Sequence, residues 1–189
     1  MDSLAPLLEP LAALQRLIDR FHGQGIVIDG IAASLLGRPR LTADLDAMLL
    51  LSIDDLPGLV EAAKEEGLLS RIQDAETFAR RTRVLLLRHQ PSGTAVDISL
   101  GMLPFEEEAV ERSGLYPIGP ISIRLPTPED LIIFKAVAHR PKDLLDIQAI
   151  VESQPDLDRE RIKGWVTEFS RALEMPELWE DIAGLLGES

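Results

Sequence analysis

The stretch Gly25–Leu51, GIVIDGIAASLLGRPRLTADLDAMLLL, decides how the rest of the chain is read. Ile26 to Ile28 is a short apolar strand with no polar alternation, the mark of burial on both faces. Asp29-Gly30 turns the chain into a small-residue helix that ends by Gly37. A basic loop follows (Arg38, Pro39, Arg40), and a second strand runs from Ala43 to Leu51, polar first and then apolar. Residues i and i+2 of a strand share a face. Asp44 and Asp46 therefore project side by side, with Leu45 and Ala47 on the other side. Two close carboxylates repel unless positive charge sits between them, and a divalent metal is the usual source.

A third carboxylate of the same kind lies further on. Ala95–Leu100, AVDISL, alternates so that Asp97 shares a face with Ala95 and Ser99. A carboxylate in an apolar strand is costly unless it is paired or liganding. Either a salt bridge to Arg83 or Arg88, or metal ligation beside Asp44 and Asp46, would offset that cost. Three such oxygens suit a hard cation, Mg²⁺ or Mn²⁺. Gly30 permits close backbone approach to a phosphate, and the helix after it offers free N–H groups, with Ser34 one turn in. Arg40 is placed to bind phosphate or to neutralise the aspartates.

The flanks supply helices and a hairpin. Leu7, Leu8, Leu11, Leu14, Leu17, Ile18 and Phe21 follow helical spacing over residues 4–22. Ser52 and the two aspartates after Ile53 cap a helix from about Leu56 to Glu66. A strand is expected within Phe78–His89, returning through the turn Pro91–Thr94 into Ala95–Leu100. Arg71, Arg80, Arg81, Arg83, Arg88 and His89 fall within nineteen residues, as a solvated hairpin or as a phosphate-facing strand pair. Pro104–Arg112 reads as a short acidic helix. Tyr116–Leu125 reads as an edge strand interrupted by Pro117 and Pro120. Thr127-Pro128-Glu129-Asp130 is a strong helix start, with that helix reaching about His139. A second runs from Lys142 to Glu152, and the segment from Asp158 to Leu186 is helical.

Composition narrows the function. The chain has 189 residues and no cysteine, which excludes disulfides, thiolate zinc sites and a cysteine nucleophile. The net charge of -13 disfavours nucleic acid at long range. No apolar run reaches the ~18 residues of a membrane span. The acidic start MDSLAPLLEP lacks the basic region of a signal peptide. A soluble, cytoplasmic protein is expected.

Gly30 and Asp44 are separated by thirteen residues. The segment Gly37-Arg38-Pro39-Arg40-Leu41-Thr42-Ala43-Asp44-Leu45-Asp46 and the later LPTPEDLIIFKAVAHRPKDLLDIQAI (Leu125–Ile150) resemble the nucleotidyltransferase superfamily. The likeness is to small bacterial members similar to AbiEii-type toxins of type IV toxin–antitoxin systems. It covers roughly residues 24–150. It implies an α+β fold, a mixed or antiparallel sheet flanked by helices, with a helical C-terminal third. The implied catalytic domain is 1–126, with helix 4–22 ahead of a core from 24; residues 127–189 form a helical region packed on it. The resemblance maps the metal-binding catalytic carboxylates to Asp44, Asp46 and Asp97, a phosphate-contacting lysine to Lys135 and a further functional acid to Asp143. The implied activity moves an NMP from an NTP, with Mg²⁺ or Mn²⁺, to a hydroxyl acceptor that is protein, RNA or small molecule, and an antitoxin is an implied partner. The family's first glycine is Asp29 here, which keeps open an inactive nucleotide-binding or protein-interaction module of the same fold.

Overall fold

The computed structural model describes residues 2–40 and 42–187. Leu41, within the Gly37–Asp46 motif, lies outside the described residues, as do Met1, Glu188 and Ser189. The chain divides into two compact units, Met1–Ile31 with Arg40–Leu125, and Ala32–Pro39 with Pro126–Ser189.

The first unit opens with a 3-10 turn, Asp2–Leu7, and helix α1, Leu8–Arg20. Strand β1 is Gly25–Ile28 and leads into α2, Asp29–Leu36, which carries the chain toward the second unit. Strand β2, Asp44–Leu50, is followed by α3, Leu56–Glu65, and β3, Leu68–Ser70. Then come α4, Ala75–Thr82, β4, Val84–His89, β5, Ala95–Gly101, and α5, Pro104–Glu111. Among the described residues, the five strands order β1-β2-β5-β4-β3, and only the β2–β5 pair is parallel. Leu45, Ala47, Leu85, Leu87, Val96 and Ile98 fill one face of this sheet and are at most 1% exposed. Each contributes about 1.5–3 kcal/mol when it is a full-sized aliphatic side chain. The other face carries the aspartates.

One local expectation is met and two are corrected here. The strand expected within Phe78–His89 is β4, Val84–His89, and the residues before it form α4, whose buried positions Ala75 and Ala79 lie one turn apart. Arg80 and Arg81 therefore lie on a helix, so the basic cluster is not a strand pair. The interrupted edge strand is instead a separate hairpin, β6, Gly114–Ile118, and β7, Ile121–Leu125. Its turn uses Gly119 at φ 56°. Pro117 is tolerated because a two-stranded ribbon needs no second ladder from it.

The second unit is helical: α6, Pro128–Ala138, α7, Pro141–Ser153, α8, Arg159–Leu173, and α9, Glu177–Ala183. The Thr127 hydroxyl accepts from the Asp130 backbone N–H at 3.2 Å, the cap its sequence implies. The C-terminal segment splits in two because Glu174 adopts φ 57° at the end of α8 and Pro176 follows. Arg161 Nε donates to the fully buried Asp130 at 2.8 Å, tying α8 to α6.

Candidate functional site

The parallel register of β2 on β5 sets Asp46 directly opposite Asp97, and Asp44 opposite Ala95. Opposed residues of neighbouring strands present side chains to the same face. Asp44, Asp46 and Asp97 thus belong to one face of the sheet. The row continues to Ile28 on β1, opposite Asp46, and to Leu86 on β4, opposite Asp97. Asp44 is exposed, while Ile28, Asp46, Asp97 and Leu86 are half-buried. Burial pushes the Asp97 carboxyl above the usual carboxylate range; Arg71 pulls it down, and the negative charge of Asp44 adds to the rise. The two strands have brought carboxylates together that the solvent does not fully screen.

The expected arginine partners of Asp97 are engaged elsewhere. Arg83 Nε donates to the Leu100 carbonyl at 2.8 Å, and Arg88 Nη1 to the Gly93 carbonyl at 3.0 Å. Asp97 is instead ion-paired to Arg71, whose Nη2 donates to Asp97 Oδ1. The sequence placed Arg71 in a basic cluster but gave no sign of this pairing. The signal is faint, because β3 ends at Ser70 after only three residues.

The turn at Asp29-Gly30, expected to approach a phosphate, stands at the end of the same row. Ile28 pairs with Asp46, so the next residues, Asp29 and Gly30, leave the sheet beside it. Asp29 has φ 52°, the left-handed region that glycine occupies freely and that aspartate tolerates best among side-chain-bearing residues, with asparagine. Gly30 is a close-approach glycine. A Cβ there would lie 2.6 Å from Thr42 Oγ1 and 3.5 Å from Arg40 Nη2. Thr42 Oγ1 in turn donates to the Asp44 carbonyl at 3.3 Å, so the loop bearing Arg40 is anchored at the head of β2. Gly30, Arg40, Asp44, Asp46 and Asp97 all sit within the first unit.

The remaining expected residues belong to the second unit. Ser34 lies on α2, one turn after Gly30, and is 6% exposed. Lys135 of α6 is 2% exposed; its Nζ donates to Asp143 Oδ1 at 3.1 Å and Asp146 Oδ2 at 2.7 Å, both on α7. Asp143 also accepts from Arg140, at 2.5 Å from Nε, 3.0 Å from Nη2 and 3.1 Å from the backbone N–H. Burial alone would raise the Asp143 carboxyl, but the Arg140 hydrogen bond and the Lys135 charge outweigh it and hold it below the usual range.

Among solved structures, the chain is similar to an antigenic nucleotidyltransferase-like protein from Paracoccidioides brasiliensis. The two are 16% identical with a TM-score of 0.53, over 95% of this chain and 91% of that one. No family model and no curated protein matches the sequence. The chain therefore has a nucleotidyltransferase-like fold: a five-stranded mixed sheet with flanking helices. Among the described residues, no helix is long and apolar enough to cross a membrane.

Proposed function

We propose that the chain is a nucleotidyltransferase that moves a nucleoside monophosphate from an NTP to a hydroxyl acceptor. The observation that carries this reading is the β2–β5 register, which sets Asp46 opposite Asp97 with Asp44 on the same face. Three carboxylates on one face of the sheet would form a hard-oxygen donor set, and Asp97 carries its carboxylate there against the cost of burial. A set of carboxylate oxygens is of the kind that Mg²⁺ or Mn²⁺ takes. Asp44, Asp46 and Asp97 would hold the cation, and what it supplies when bound is charge that grips a triphosphate and polarises a phosphoryl group.

The chain's own residues would do the rest. The acceptor hydroxyl oxygen forms a bond to the α-phosphorus, the bond from that phosphorus to the bridging oxygen breaks, and pyrophosphate leaves. Asp97 would accept the hydroxyl proton or serve as a ligand. The backbone amides at Gly30 and the hydroxyl of Ser34 would cradle the β- and γ-phosphates. Arg40, beside Gly30, would offset charge that builds in the transition state. Lys135 and Asp143 are assigned to nucleotide binding by the resemblance of Leu125–Ile150. The net charge of -13 favours a protein or small-molecule acceptor over RNA. The same resemblance extends the reading to a toxin-like transferase of the cytoplasm restrained by an antitoxin.

A second reading, a nucleotide-binding or protein-interaction module without chemistry, is favoured by one observation. Asp97 already has a cation of its own in Arg71. Calorimetric titration with Mg²⁺ and each of the four NTPs, alongside a pyrophosphate-release assay, separates the two. NTP binding with pyrophosphate release on adding acceptor supports the enzyme. Tight NTP binding with no release over hours supports the module.

A further inference from the structure

The geometry points to Arg71 as a built-in competitor of the divalent cation for Asp97, one that gives up the carboxylate when metal binds and then engages the nucleotide's phosphates. This inference rests on the metal reading of Asp44, Asp46 and Asp97.

The placement follows from the sheet. The β3–β4 ladder pairs Leu68 with His89, Leu69 with Arg88 and Ser70 with Leu87. Arg71 N–H donates to the Leu86 carbonyl at 3.1 Å, which carries the register one residue past the end of β3. Arg71 therefore stands opposite Leu86, Leu86 opposite Asp97, and Asp97 opposite Asp46. All four share a face. Two strand spacings separate Arg71 from Asp97, about 10 Å between backbones, a span that an extended arginine and an aspartate can bridge. The Arg71 side chain crosses the β4 position between them to donate to Asp97 Oδ1.

The surroundings make this pair exchangeable rather than fixed. The Arg71 and Asp97 side chains keep 25% and 32% exposure, so each has water to return to. Arg83 and Arg88 tie backbone carbonyls of the β4–β5 hairpin; Arg71 instead places its charge on a carboxylate of the acidic face. A guanidinium and a hard cation draw on the same oxygen lone pairs. When the cation takes Asp97, Arg71 is left three strand spacings from Asp46, on the face where the triphosphate would bind. A planar fork with several donors is well suited to phosphate oxygens.

The test is a titration of Mn²⁺ alone, followed by an NTP titration in saturating Mn²⁺, on the wild-type chain and Arg71→Gln. Removing a partly exposed competitor should tighten Mn²⁺ binding about three- to tenfold while weakening NTP binding. In an Asp97→Asn background, Arg71→Gln should no longer change Mn²⁺ affinity. Arg71→Gln that leaves Mn²⁺ affinity unchanged or weaker overturns the inference, as does unchanged or tighter NTP binding. Mn²⁺ binding by neither wild type nor variant overturns the metal reading itself. Thermal unfolding verifies that each variant folds. Should Arg71→Gln not fold, Arg71→Lys, which keeps the charge but loses the fork, must still weaken NTP binding, and unchanged NTP binding by that variant overturns the inference.

Discussion

Asp29 occupies the left-handed region at φ 52°, where β1 turns into α2. The resemblance puts a glycine at this position, and the backbone explains why: glycine takes that conformation without a Cβ penalty. In the sequence the aspartate reads as a charge set against a phosphate turn. In the structure it is first a residue type that the turn tolerates. Replacing Asp29 by glycine and by alanine removes the carboxylate in both cases, so the difference between the two variants isolates the backbone. Asp29→Gly is expected to be more stable than Asp29→Ala by about 1 kcal/mol, measured by urea unfolding. Equal stability, or a more stable alanine variant, would count against a positive-φ requirement. The two aspartates of β2 were fully legible, because strand alternation alone puts them on one face. The Arg71–Asp97 pair was not, since it depends on which strand lies two places away.

Among the elements, long and strongly patterned segments could be read and short ones could not. The α1 stripe, the Thr127 cap and the Pro91–Thr94 turn each rest on local chemistry. Strand β3 has three residues and α4 has eight, with only Ala75 and Ala79 buried, too little periodicity to separate helix from strand. The α6–α7 pair shows both sides of this. The apolar neighbours of Lys135 mark it as partly buried, but its two carboxylate partners lie across a turn. Lys135→Met removes a buried cation shared by Asp143 and Asp146, and is expected to cost about 3–5 kcal/mol at neutral pH. A loss under 1 kcal/mol in chemical denaturation would mean that their other partners, Arg140 among them, stabilise these acids without Lys135. The pH dependence has a definite sign. The folded value of Asp143 lies below its ordinary value of 3.8, so its contribution is present above that value and is lost as pH falls through the folded value. Asp143→Asn should flatten that part of the acid limb.

At the scale of the molecule, what the residues do not reveal is strand order. Asp46 and Asp97 stand opposite each other only because β5, which follows β4 in the chain, inserts beside β2 in parallel. Local pattern determines the faces of β2 and β5 but not their adjacency; the motif resemblance supplied that expectation, and the sheet order gives it a physical form. Two compact units divide the expected residues, with the carboxylates, Gly30 and Arg40 in the sheet unit and Ser34, Lys135 and Asp143 in the helical one. The central claim is that the acidic face of the sheet transfers a nucleotide. It is tested most directly by incubating the chain with α-labelled NTPs, Mg²⁺ and a cell extract, beside Asp46→Asn. The expected result is a Mg²⁺-dependent labelled product that the variant, with unchanged unfolding temperature, fails to make. Equal labelling by wild type and Asp46→Asn would contradict the account.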